Sequence, residues 1–218
     1  DDEEVDEVDG RWPRLEQTWA QPVRLLAPRA CDLLVAREDN MMANEIVTAF
    51  LDALMKNDTA HAAFISNPAW TALATAALIE AGLAASTGKK VRAAARGTKD
   101  PDYGRSEYLT LDVCVYDDAT WGPPLFIAEH ENSRDAVKVQ YCAWKLLSTQ
   151  ASRRVLVAYY AKTGGMKGLV AAVKEVAAAN PGGEIPRDVL VIAAPWDAKP
   201  ATNVELRTLF ETSIVGVR

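Results

Sequence analysis

The sequence predicts an α/β fold: one mixed central β-sheet with helices on both faces. Two observations carry this. Helical apolar spacing in the first third of the chain gives way after Gly88 to short strand-like runs, and from there strands and helices alternate. At 218 residues and 49% hydrophobic, the chain can bury one sizeable core and reads as a single domain overall. Its expected parts are an acidic tail (1–10), a helical extension (11–66) and an α/β core (67–218).

Pro13, Pro22 and Pro28 break any long helix early on, so "VRLLAP" and "DLLVA" read as short strands or turns. In "MMANEIVTAFLDALMKND", Met42, Ile46, Phe50 and Leu54 recur at helical spacing. "SNPAWTALATAALIEAGLAASTG" is a second helix, with Asn67 as cap, Pro68 at its first position and Gly88 at its end. "KKVRAAARG" is a weak strand. In "SEYLTLDVCVYDD", Leu109, Leu111, Val113 and Val115 alternate with polar neighbours, which predicts a strand containing Asp112. A turn at "ATWGPP" leads to a strand at 124–131, "PLFIAEHE". "SRDAVKVQYCAWKLLSTQAS" predicts a helix, with Tyr141, Trp144 and Leu147 in the core. "RRVLVAYY" is a buried strand, "LVAAVKEVAAA" a helix and "DVLVIAAP" the last clear strand.

Charge and composition exclude several classes. No apolar run reaches the roughly 18–20 residues of a membrane span, and the acidic start is unlike a signal peptide. A soluble, cytoplasmic protein without a membrane partner is expected. Three scattered cysteines, Cys31, Cys114 and Cys142, form no CxxC and read as small buried hydrophobes. Two histidines, His61 and His130, are too few for a zinc site. "KTGGMKG" lacks the ending of a phosphate-binding P-loop. The net charge is −6, but "DDEEVDEVDG" holds seven acids; setting them aside leaves +1. Lys89, Lys90, Arg92 and Arg96 crowd the stretch before the Asp112 strand and are the expected phosphate contacts, with Arg153 and Arg154 as further candidates.

The chemistry concentrates at residues 124–131. Alternation puts Leu125, Ile127, Glu129 and Glu131 on one face, and Phe126, Ala128 and His130 on the other. A core strand that runs into two carboxylates on one face needs a compensator, because like charges repel and desolvating them costs several kcal/mol. A neighbouring antiparallel strand would bring Asp112 beside Glu129. Three carboxylates then suit a hard divalent cation, Mg²⁺ or Mn²⁺, which prefers oxygen ligands and keeps several waters. Such an ion polarises a phosphoryl oxygen and acidifies its bound water, which is the chemistry of phosphodiester hydrolysis.

The Asp112 strand, the strand ending "AEHEN", the helix with "WKLL" and the strand "RRVLVAYY" together resemble the PD-(D/E)XK, restriction-endonuclease-like nucleases over roughly residues 68–160. The resemblance implies an αβββαβ core, Mg²⁺ or Mn²⁺ as cofactor and nucleic acid as partner, DNA rather than RNA. Position by position, Asp112 matches the motif aspartate, without the preceding proline, and Glu129 the acidic position. Glu131 stands where the motif has lysine, an E-x-E variant. The resemblance implies a lysine supplied from the following helix, Lys145, with Lys138 two turns earlier as the alternative. It also implies a glutamate from the first core helix, Glu80. The missing motif lysine leaves a second expectation: a catalytically inactive nuclease-like module that binds nucleic acid or a protein partner. A homodimer is left open.

Overall fold

The computed structural model describes residues 30–65, 68–95, 110–118, 122–161, 164–179 and 188–216. Asn67, Arg96 and the residues 1–29 lie outside them.

The first helix, α1 (Ala30–Met55), buries Ile46, Phe50 and Leu54, spaced four residues apart. It begins earlier than the apolar spacing suggests, and "DLLVA" is helical, not a strand or a turn. A short α2 (Ala60–Ala63) leads to α3 (Ala69–Ala84), which starts directly after Pro68. α3 lies so close to the sheet that a Cβ on Gly82 would come within 2.7 Å of Phe126 Cδ1 and 2.8 Å of Val115 Cγ2. Glycine is there for close approach. Gly88, by contrast, follows the helix with φ +79, in the left-handed region.

Then come β1 (Val91–Ala95), β2 (Val113–Asp117), β3 (Phe126–Glu131), α4 (Ala136–Ser148), β4 (Arg153–Tyr160), α5 (Gly165–Ala179), β5 (Val189–Pro195), α6 (Asn203–Thr208) and β6 (Glu211–Val215). The six strands form one sheet in sequence order, β1 to β6. β2 is antiparallel to β1 and β3, while β3, β4 and β5 run parallel, joined by α4 and α5 as crossovers. β6 closes the sheet antiparallel to β5. α6 and β6 are not legible in the sequence: "NVELRT" is polar and about one and a half turns long, too short to declare a period.

The sheet is covered on both faces. Phe126, Ala128, Val155 and Val157 pack with α1 and α3; Ile127, Leu156 and Val191 pack with α4 and α5. Among the described residues no helix is long and apolar enough to cross a membrane.

Two expectations, one about α4 and one about β4, are corrected. Leu147 is buried, but Tyr141 and Trp144 are 54% and 49% exposed, with rings stacked at 5.9 Å and 19°. They follow the outer side of α4, away from the face that meets the sheet. Arg154 is no surface phosphate contact. It is buried inside β4, and its guanidinium donates to the Leu146 and Thr149 carbonyls at 2.9 and 3.0 Å. It thereby caps the C-terminal end of α4, where carbonyls lack helical partners.

Candidate functional site

The antiparallel register of β2 on β3 pairs Val113 with Ala128, which sets Asp112 against Glu129 one step further out. Asp112 is not inside a strand, as the alternation suggested, but in the bend before β2. The reason is Thr110, whose φ of +62 turns the chain out of the extended conformation. A β-branched residue there costs on the order of 1–3 kcal/mol and persists only where its surroundings hold it. Here the Thr110 carbonyl accepts a hydrogen bond from Lys145 Nζ at 2.9 Å.

Asp112 and Glu129 are stitched together through the backbone. The Asp112 N–H donates to Glu129 Oε1 at 3.3 Å, and the His130 N–H donates to Asp112 Oδ2 at 2.8 Å. From α4, Lys145 reaches the same place: its Nζ lies 2.6 Å from Glu129 Oε2. The pair is deep, with the Glu129 side chain 1% exposed and that of Lys145 11% exposed. Burial, then the neighbouring Asp112 charge, raise Glu129 to about 7, although Lys145 pulls the other way. Burial alone would lower Lys145, but its bond to Glu129 outweighs this and raises it. Lys145 is therefore the firm cation, and Glu129 is the group whose charge is held against opposition.

Glu131 shares the face but not the contact. It sits two residues, about 6.6 Å, further along β3, half-buried, where the Cys142 thiol donates to its Oε2 at 3.7 Å. Burial raises it above the usual carboxylate range, against the attraction of Lys138. The convergence of three carboxylates is therefore not formed, and among the described residues no three His, Cys, Asp or Glu side chains are placed to hold a metal ion. The helix supplies what the strand lacks. Lys138, Cys142 and Lys145 recur at i, i+4 and i+7 on one side of α4 and lie along the acids of β3. Cys142 is more than a small buried hydrophobe: it belongs to this row, and its spacing from Lys138 and Lys145 is the signal in the sequence.

Glu80 takes no part. It is exposed on α3, which covers the opposite face of the sheet, and it faces Lys56 at 4.0 Å. The basic cluster is displaced too. Val91 pairs with Asp117, so Lys89, Lys90 and Arg92 flank the far end of β2, about 17 Å from Asp112 at the usual strand rise. Lys90 pairs with Asp118 at 3.3 Å, and Arg92 lies over the Tyr116 ring.

His130 points to the other face and is buried there, neither exposed nor fully satisfied. Trp70 Nε1 can only donate, and it donates to the Tyr159 hydroxyl, which also hydrogen-bonds His130 Nε2 at 2.9 Å. The other ring nitrogen, Nδ1, has no partner among the described residues. Burial lowers His130 to about 4. Asn132, at the end of β3, donates from Nδ2 to Thr71 Oγ1 at 3.3 Å.

Two adjoining carboxylates, one of them pushed toward its neutral form, suit a hard divalent cation, which is often held through one or two carboxylates with water completing its shell. Asp112 and Glu129 are the two that would hold such an ion, although both Glu129 oxygens already have donors; Glu131 lies outside the pair. Compared with known proteins, the chain matches no family model, no curated protein and no solved structure.

Proposed function

We propose that the chain is a metal-dependent nuclease of the PD-(D/E)XK kind, in which the motif lysine has moved from β3 to α4. The observation that carries this is the meeting of Asp112, Glu129 and Lys145 at one end of the sheet, from the bend before β2, from β3 and from α4, within the element order α3-β1-β2-β3-α4-β4.

Asp112 and Glu129 would hold Mg²⁺ or Mn²⁺, which when bound polarises a phosphoryl oxygen and acidifies a water. Lys145, now paired with Glu129, would face the phosphate and offset the negative charge that grows on it. Groups of this type are typically worth about 10²–10³ in rate. Glu131, raised by burial, is better suited to take a proton than an ordinary carboxylate.

The test is incubation with plasmid, linear and single-stranded DNA, with and without Mn²⁺. Asp112→Ala and Glu129→Ala should each abolish cleavage while circular dichroism stays native. Full activity in either variant removes the assignment.

One observation favours a second reading, an inactive module that binds nucleic acid or a protein. Glu129 already has a donor on each oxygen and is almost fully covered. That reading predicts no heat of Mn²⁺ binding in calorimetry.

A further inference from the structure

The parallel strands β3, β4 and β5 end on the same side of the sheet, and the residues that leave them wall a cleft of about 630 Å³. Asn132, Arg134 and Asp135 follow β3, Ala161 follows β4, Trp196 follows β5, and Lys138 enters from the first turn of α4. A cleft of this size accommodates a small-molecule moiety, and in open α/β sheets ligands favour the crevice at the carboxyl ends of the strands. It also adjoins the candidate centre: Asn132 follows Glu131 in the chain, and Lys138 lines the cleft while its charge acts on Glu131.

The chemistry of the walls narrows the ligand. Trp196 is a fixed aromatic. Its backbone N–H donates to the Tyr160 carbonyl at 2.8 Å, and its ring meets Tyr159 edge-on at 5.9 Å. The Arg134 guanidinium lies 5.8 Å over the Trp196 ring and makes no hydrogen bond or ion pair among the described residues. Asp135 is already engaged, since its Oδ1 caps α4 by accepting from the Val137 N–H at 2.9 Å. Its negative charge opposes any anion, so a phosphate needs the added contact of a flat ring on Trp196 to bind well.

We propose, resting on the nuclease reading above, that this cleft holds an unpaired nucleotide beside the bond to be cut, its base on Trp196 and its phosphate on Arg134 and Lys138. Arg134 then exchanges a cation–π contact for a charge-assisted bond to the phosphate and uncovers the ring for the base. The substrate this selects is a single strand. A base in a duplex is covered on both sides and reaches such a platform only by leaving the stack.

The test measures fluorescence anisotropy of a labelled oligodeoxythymidylate and of a labelled blunt hairpin, in metal-free buffer across a salt series. Trp196→Leu keeps an apolar side chain against Tyr159 but removes the π-face. It should weaken single-strand binding by about tenfold or more and leave the hairpin unchanged. Arg134→Gln, at an exposed position that does not endanger folding, should lower the slope of log K against log salt by about 0.7. Single-strand binding and salt slope equal to wild type in both variants would overturn the proposal, as would an equal loss for the hairpin. Asp112→Asn separates the two readings. If it still cuts while the cleft variants lose single-strand binding, the nuclease centre is wrong and the cleft stands. If cutting needs Asp112 but the cleft variants bind and cut a single strand normally, the cleft alone is wrong.

Discussion

Glu129 and His130 are neighbours in the chain, and burial shifts both, with opposite consequences for stability. Folded His130 titrates near 4 against an ordinary 6.5, so between these values the unfolded chain binds a proton that the folded chain refuses. Stability then falls as pH drops from 6.5 to 4, by about 3 kcal/mol at 1.36 kcal/mol per pKa unit. Folded Glu129 titrates near 7 against an ordinary 4.5, so between those values the folded chain keeps a proton that the unfolded chain loses. Stability falls as pH rises from 4.5 to 7, again by about 3 kcal/mol. From pH 4.5 to 6.5 the two trends cancel, and their joint contribution to the wild-type profile is nearly level. Single substitutions uncover each trend. Glu129→Gln should gain about 3 kcal/mol from pH 4 to 7 relative to its own acid value, while His130→Phe should lose about as much from pH 4.5 to 7.5. Glu131, also raised, steepens the second curve. The assay is urea denaturation at half-unit pH steps in metal-free buffer, because a cation at Glu129 would lower its pKa. Parallel profiles for the two variants would refute the reasoning.

Three other outcomes follow from the packing and the proposed ion. Gly82→Ala gains about 1 kcal/mol of helix propensity but drives a methyl into Phe126 and Val115; overpacking typically costs about 1–3 kcal/mol, so thermal melts should show a net loss. Arg154→Met leaves the Leu146 and Thr149 carbonyls without their donor and should cost roughly 1–3 kcal/mol in urea denaturation. Mn²⁺ at a hundred times its dissociation constant should stabilise the wild type by about 2.7 kcal/mol. The same addition should leave the melting temperature of Asp112→Asn unchanged.

The parts of the site that alternate along a strand were legible in the sequence. The two faces of 124–131 came directly from the period of two, because β3 is covered on both sides and each face has its own chemistry. Pairing of Asp112 with Glu129 was also legible, since a turn between two neighbouring runs implies an antiparallel register. What failed needed the third dimension. Glu131 was counted with Glu129 because they share a face, yet Asp112 can meet only the residue opposite it. Glu80 was drawn from the first core helix, but α3 packs on the face where His130 points, not where Glu129 points. Lys89, Lys90 and Arg92 are close to Asp112 in sequence order, and the reversal at β1–β2 carries them to the far end. The beginning of β2 was misjudged because apolar alternation continues through Thr110, where the backbone itself does not.

The hydrogen bond from the His130 N–H to Asp112 Oδ2 is the seam between two compartments. On one side lie the edge-on rings of Trp70, Tyr159 and Phe64, which keep the scaffold upright. On the other lies the polar row of Asp112, Glu129 and Lys145. A reporter placed on the ring side, such as a fluorinated tyrosine at position 159, touches both layers: its ring meets Trp70 and Phe64, and its hydroxyl meets His130, whose N–H holds Asp112. A change among the acids has a short covalent and hydrogen-bonded route to the aromatic frame.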